Sequence, residues 1–264
     1  MNMQQVAHSP AEIYDELFVP ALFEQWAHVV ADEAGVWLNQ RVLDVACGTG
    51  VLACTCAERV GGGGSVVGLD PNDEMLNVAR RKSSSIEWLN GRAESLPFPD
   101  QSFDAVVSQF GFMFFEDRLA ALREMMRVLR PSGRLVVAVC DALDHSPGYA
   151  VLAELLHRLF GEQVAQAFRA PFACGDPQPL FSLCTAAGIV NAKIMRHDGK
   201  LRFASISSLV STERACVWTL GGLLNDAQFE RLLEQAEESL LPFVTADGNV
   251  VFVMPALILT AIKP

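Results

Sequence analysis

From residue 41 onward, short apolar runs alternate with stretches whose apolar positions recur every three or four residues. That alternation predicts strands separated by helices, as in a parallel sheet wrapped on both faces. Residues 41–46 (RVLDVA) form the first predicted strand. A small-residue turn at 47–50 leads into a helix over 51–60, stopped by the glycines at 61–64. Residues 65–70 (SVVGLD) give the second strand. The helix over 72–82 is punctuated at both ends: Asn72 caps it, Asp73 and Glu74 occupy the positive first turn, and Arg80, Arg81 and Lys82 the negative last turn.

A short third strand over 85–89 and a fourth over 103–109 (FDAVVSQ) follow. The helix at 117–130 carries Leu119, Leu122, Met125, Met126 and Leu129 on one side and ends at Pro131 and Gly133. Residues 134–140 (RLVVAVC) are the fifth strand. The pattern then weakens. Helices at 147–160 and 177–187, a strand at 190–197, helices at about 206–220 and 226–241, and a last strand at 250–262 complete it. Without repeats or a low-complexity linker, the chain reads as one domain overall. It has a helical cover over 1–40, a core over 41–143, and the remainder of the sheet with helical insertions over 144–264.

Composition narrows the class. The chain has 264 residues, 51% of them hydrophobic, enough for a sizeable core without disulfides or structural metals. A formal net charge of −11 repels phosphate backbones, which counts against a nucleic-acid substrate. The seven cysteines are odd in number, show no C-x-x-C spacing and mostly sit in apolar runs. They read as reduced thiols, with no disulfide framework and no zinc site. The first residues lack a signal-peptide pattern and no apolar run reaches the length of a membrane span, so the expectation is a cytoplasmic protein that does not enter a membrane.

The sharpest chemistry lies at 42–50, VLDVACGTG. An apolar strand ends in Asp44, and a turn of small residues (Ala46, Cys47, Gly48) opens onto a helix, where a ligand can approach the backbone closely and the exposed N–H groups at the helix start can donate to it. Twenty residues after Gly50, Asp70 ends the second strand, a position from which a carboxylate accepts from both hydroxyls of a ribose. Two ligands fit this pair. Gly48-x-Gly50-x-x-Ala53 also satisfies the dinucleotide fingerprint, which would make the protein an NAD(P)-dependent oxidoreductase. Asp44 separates the two: a carboxylate repels a pyrophosphate and attracts the ammonium of a methionyl group.

With these residues in view, the chain resembles a class I S-adenosylmethionine-dependent methyltransferase of the ubiquinone/menaquinone-biosynthesis type. The resemblance rests on VLDVACGTG at 42–50, GLDPNDEMLNVAR at 68–80, GRAESLPFPDQSFDAVVSQFGFMFF at 91–115 and REMMRVLRPSGRLVV at 123–137. It implies a Rossmann-like α/β fold with a seven-stranded, mostly parallel sheet, helices on both faces, an antiparallel last strand and helical lid insertions. It also implies S-adenosylmethionine as cofactor and a small-molecule methyl acceptor. A non-catalytic cofactor-binding partner protein is the remaining alternative.

Carried over by resemblance, Asp44, Ala46, Cys47 and Gly48 line the methionyl end of the cofactor, and Asp70 takes the ribose. Pro71 and Met75 lie near the adenine, and the Ala93 backbone N–H faces the ring. Relatives often carry an aspartate just before Ala93; here it is Arg92, whose guanidinium has no acceptor. Either Arg92 stacks on the adenine or it points away, with Glu94 supplying the acceptor. Gln109 and Phe110 follow the fourth strand, where methyl group and acceptor should meet. The N-P-P-Y motif of base and glutamine methylation is absent there, and Phe110, Phe112, Phe114 and Phe115 serve as substrate wall or as core.

Ahead of the first strand, Tyr14, Phe18 and Trp26 stand at helical spacing, either covering a sulfonium through their aromatic faces or pinning a surface helix. Should the acceptor need to lose a proton, His145 is the histidine best placed to take it, beside a purely structural alternative; His8, His28, His157 and His197 read as surface or helix residues. The insertions at about 144–176 and 204–245 carry no readable motif. No feature of the pattern fixes whether the protein is a monomer or a homodimer.

Overall fold

A computed structural model describes residues 9–216 and 218–264. His8 and the start of the expected N-terminal cover lie outside the described residues. Arg41–Val45 (β1), Ser65–Asp70 (β2), Glu87–Asn90 (β3), Phe103–Gln109 (β4) and Leu129–Cys140 (β5) pair in parallel. Lys193–His197 (β6), Lys200–Phe203 (β7), Val250–Val253 (β8) and Ala256–Ile262 (β9) follow. Among the described residues the main sheet has seven strands in the order β3-β2-β1-β4-β5-β9-β6, with β9 antiparallel to both neighbours. The expected fold class holds.

The central strands are apolar almost throughout because both of their faces are covered. Val42, Leu43, Val45, Ala105, Val106, Val107 and Leu135 are all buried. The order of strands reverses between β1 and β4, and the crevice at their carboxyl ends is where such sheets take ligands.

Helices Pro10–Ile13 (α1), Glu24–Glu33 (α2), Val51–Val60 (α3) and Asp73–Lys82 (α4) flank this edge. The Asn72 side chain caps α4 as expected, accepting from the Glu74 N–H at 2.9 Å. Between α1 and α2 runs a ten-residue π-helix, Tyr14–Phe23. The Glu24 N–H reaches back five residues to the Val19 carbonyl, and Pro20, lacking an N–H, sits inside this widened ladder. In an α-helix Phe23 would lie roughly half a turn away from Tyr14. The wider turn brings the two rings together, stacked at 5.3 Å between centroids. Ion pairs Arg81–Glu12 and Lys82–Asp15 fasten this cover to α4.

Several boundaries differ from the sequence pattern. Arg118–Val128 (α5) stops early because Leu129 pairs with Phe103 at the start of β5. The next pairing is Ala105 with Arg134, so the expected Pro131–Gly133 stop becomes a bulge inside the strand, held by the chain end through Ser132 N–H to the Lys263 carbonyl at 2.8 Å. The strand expected over 250–262 breaks before Ala256, and β8 leaves the main sheet to form a two-stranded ribbon with β7. Pro255 supplies no N–H to continue one ladder across this point.

Beyond β5 come Pro147–Phe160 (α6), Glu162–Arg169 (α7), Pro177–Ala186 (α8), Ile206–Ala215 (α9) and Asp226–Ser239 (α10). Helix α7 and strand β7 have no counterpart in the sequence pattern, and α9 is shorter than the expected 206–220.

Candidate active site

Four parallel strands deliver residues from their carboxyl ends to one cavity of about 590 Å³: Asp44 from β1, Asp70 from β2, Gln109 from β4 and Cys140 from β5. The turn after β1 is shaped by backbone conformation. Ala46, Gly48 and Gly50 all have positive φ, at 58°, 54° and 86°. A Cβ on Gly50 would fall 2.4 Å from the Trp88 ring, so this position is closed to side chains from two directions. On the adjacent strand Phe110 also has positive φ, 54°, and a Cβ on Gly111 would lie 2.4 Å from the Ala46 methyl. Two neighbouring strand ends thus finish in left-handed residues packed against one another. Such conformations in non-glycine residues cluster where a ligand approaches the backbone.

Three of the turn amides are not free for an anion. Cys47 N–H donates to the Leu69 carbonyl, Gly48 N–H to Asp70 Oδ2 at 2.9 Å, and Gly50 N–H to the Cys47 carbonyl. The expectation of ligand-facing N–H groups from this turn fails for these three. A pyrophosphate would meet the bare Asp44 carboxylate there, and three of the turn donors are already engaged, which counts against the dinucleotide reading.

The two acids differ. Asp70 Oδ1 accepts from the Asn72 N–H at 2.8 Å and Oδ2 from Gly48. Burial raises its pKa, and the Asn72 and Gly48 donors oppose that rise. Asp44 is 1% exposed, and among the described residues neither of its carboxylate oxygens has a hydrogen-bond partner. Burial, then repulsion from Asp70, push its pKa well up; the Ala53 N–H acts the other way without reaching hydrogen-bond geometry. A buried carboxylate left bare in this way requires a cationic or hydrogen-donating ligand. S-adenosylmethionine fits such a pair: Asp44 would take its ammonium, and Asp70, which retains lone pairs beyond its two amide bonds, would accept from its ribose hydroxyls.

The other expected residues are mostly brought together. Tyr14, Ala46, Cys47, Gly48, Pro71, Met75, Arg92, Ala93, Glu94, Gln109 and Phe110 all line the cavity. Tyr14 and Phe18 face it, whereas Trp26 is buried beneath it, edge-on to Phe110 at 5.8 Å. Of the four phenylalanines after β4, Phe112 is core and the other three line the cavity. Arg92 sits at the rim, paired to Glu116 at 2.9 Å and to Glu94 at 3.5 Å. Glu94 Oε1 is already engaged by the Glu116 N–H at 2.9 Å. Gln109 donates from Nε2 to the Phe23 carbonyl at 3.0 Å, tying the N-terminal cover to β4. His145 is not brought to the cavity. Its Nδ1 lies 2.8 Å from Asp141, a carboxylate that Arg196 also holds at 2.9 Å.

Sequence reasoning missed the opposite wall, where Tyr149, Phe168, Phe172, Glu213, Cys216, Trp218 and Thr219 enter from the helices after β5. One signal was present. In the pattern Ile206, Leu209, Val210, Glu213 an acid stands on the buried stripe of α9, and all four are buried.

Strand order, glycine turn and the acid pair are those expected of a class I, S-adenosylmethionine-dependent methyltransferase on a Rossmann-like sheet. A family profile described as "Methyltransferase domain" matches residues 43–137. The ubiquinone/menaquinone biosynthesis C-methyltransferase UbiE of Hahella chejuensis is 41% identical over 177 residues, covering 62% of this chain and 71% of that protein. The chain belongs to this UbiE-type methyltransferase family. The Cronobacter sakazakii UbiE is 42% identical over 142 residues, and the match spans 50% of this chain and 57% of that relative's length. A crystal structure described as a putative methyltransferase from an antibiotic biosynthesis pathway of Anabaena variabilis has the same fold, with a TM-score of 0.66 at 15% identity over 90% of this chain and 96% of that one.

Proposed function

We propose that this chain transfers the methyl group of S-adenosylmethionine to a small molecule held between the sheet and its helical cover. The observation that carries the reading is Asp44, a buried carboxylate with both oxygens bare at the floor of the cavity. When bound, the cofactor supplies a methyl group already activated on a sulfonium. Asp44 would hold its methionyl ammonium and Asp70 its ribose, and Tyr14, stacked on Phe23, presents an aromatic face from the N-terminal segment. Proximity and alignment then supply much of the rate, because displacement at an activated methyl carbon needs mainly in-line geometry.

The cover, made from the N-terminal segment and the insertions at about 144–176 and 204–245, shapes the acceptor pocket. Phe114, Phe168, Phe172 and Trp218 favour an acceptor with an apolar body. The name of the UbiE relatives makes carbon a candidate accepting atom, as in C-methylation. The net charge of −11 argues against a nucleic-acid acceptor. The seven free cysteines fit a reducing, cytoplasmic location. Among the described residues, no helix is long and apolar enough to cross a membrane. The test is incubation with methyl-labelled S-adenosylmethionine and a library of apolar small molecules. Label should appear in a small-molecule product; binding of NADH in place of S-adenosylmethionine would overturn the reading.

A further inference from the structure

Glu213 stands in the last turn of α9, 1% exposed, and lines the cavity across from the cofactor-binding strand ends. Everything local opposes a charge there. The carboxylate is desolvated, and the end of a helix carries negative partial charge. Among the described residues, the groups that act to keep it ionised are the hydroxyls of Tyr149, from α6, and Thr219. Neither the Tyr149 hydroxyl nor Glu213 Oε2 completes a hydrogen bond, although both are buried. The other titratable groups facing it are thiols: Cys140 at the end of β5 and Cys216 just after α9, both shifted upward in part by Glu213 itself. Burial raises the Glu213 pKa to about 7, against the Tyr149 and Thr219 hydroxyls that lower it. A buried carboxyl poised near neutrality, on a residue that lines the cavity and with one oxygen left unpartnered, has the properties of a general base.

We infer that Glu213, positioned beside Tyr149, takes the proton that the acceptor loses, so that the acceptor carries a hydroxyl or an ammonium group on an apolar body. The inference rests on the methyltransferase reading above. The proton passes to the Glu213 carboxylate, which becomes neutral. The electron pair left on the acceptor forms the bond to the methyl carbon, and the pair of the broken carbon–sulfur bond stays on sulfur as the sulfonium becomes a thioether. Aromatic walls around a lone acid suit either donor: they stack on a ring and attract an ammonium.

The test is calorimetric and needs no turnover. Protein with and without S-adenosylhomocysteine is titrated with 4-propylphenol, 4-propylbenzylamine and 4-propylanisole between pH 6 and 8.5. The anisole has the same body and no proton to give. Wild type should bind the phenol or the amine at least tenfold more tightly than the anisole at pH 8, with the preference falling as pH drops through about 7. Which of the two binds identifies the donor. Glu213→Gln should lose the pH dependence while keeping S-adenosylhomocysteine affinity within about twofold. Tyr149→Phe should move the midpoint upward, since the hydroxyl that opposes the rise is gone. Equal binding of all three probes, no binding of any, or an unchanged pH midpoint in Glu213→Gln would overturn the assignment. Failure of S-adenosylhomocysteine to bind wild type would instead overturn the cofactor reading.

Discussion

The two walls of the cavity are built by different means. On the strand side, backbone conformation does the shaping: left-handed Ala46, Gly48, Gly50 and Phe110, with Gly111 packed on the Ala46 methyl. On the cover side, side chains do it: Tyr149 from α6, Phe168 from α7, Glu213 from α9 and Trp218 beyond it. The strand wall fits a cofactor that many proteins share, and tolerates little change. The cover wall can be rewritten by substitution without disturbing a turn. On the proposed function, backbone geometry would hold the cofactor and the helices would choose the acceptor.

Substitutions on the strand wall should have the largest effects. Asp70→Ala removes a charged acceptor from the cofactor and leaves the Gly48 and Asn72 amides unpaired. Each such hydrogen bond contributes ~1.5–3 kcal/mol, so cofactor affinity should fall tenfold or more and the melting temperature should drop with it. Calorimetry and thermal melts read both; unchanged affinity in a folded variant would leave Asp70 as a turn residue only. Gly111→Ala forces a methyl against Ala46 and should destabilise by ~1–3 kcal/mol in denaturant titration.

Effects from the cover should be smaller and more selective. Tyr14→Ala should weaken S-adenosylmethionine by ~0.5–2 kcal/mol, and uncharged S-adenosylhomocysteine by less, because only the sulfonium gains from the ring face. Equal weakening would reduce Tyr14 to packing. Arg92→Ala at the rim should change cofactor affinity less than tenfold, since Glu116 and Glu94 already hold the guanidinium.

The same contrast decides what the sequence revealed. VLDVACGTG and Asp70 were legible because a turn that needs glycine and an acid that ends a strand leave fixed letters at fixed spacing. The order and type of most sheet elements were legible through periodicity. The ribbon β7–β8 was not: KLRF is too short to show alternation, and β8 merged with β9 into one apolar run. The π-helix left no trace, because Tyr14, Phe18 and Trp26 around it stand at ordinary helical spacing. Glu213 was hidden by distance, since it meets the cofactor wall only after α9 folds back over the sheet. His145 was favoured by proximity to β5 and by its ring, yet Asp141 and Arg196 hold it in an ion-paired cluster away from the cavity lining.

A pH measurement sharpens the comparison further. Glu213 has a folded pKa raised to about 7 by burial, above its unfolded value. A carboxyl with a raised folded value adds stability below its unfolded pKa and loses it as pH rises through the folded one. Relative to Glu213→Gln, wild type should therefore lose stability progressively up to about pH 7 and hold a constant deficit above it. A difference that is flat across pH 4–8 in paired denaturant titrations would contradict the buried, uncompensated carboxyl.

The most direct test of the account concerns Asp44, whose bare carboxylate is the reason for placing S-adenosylmethionine in the cavity. Asp44→Asn keeps the shape and removes the charge. The expected result at pH 7 is a pair of opposite changes: S-adenosylmethionine binds at least tenfold more weakly by calorimetry, while the ligand-free variant melts at a higher temperature than wild type because a buried acid whose ionisation burial and Asp70 oppose is gone. Unchanged S-adenosylmethionine affinity, or a ligand-free variant that melts lower, would contradict it.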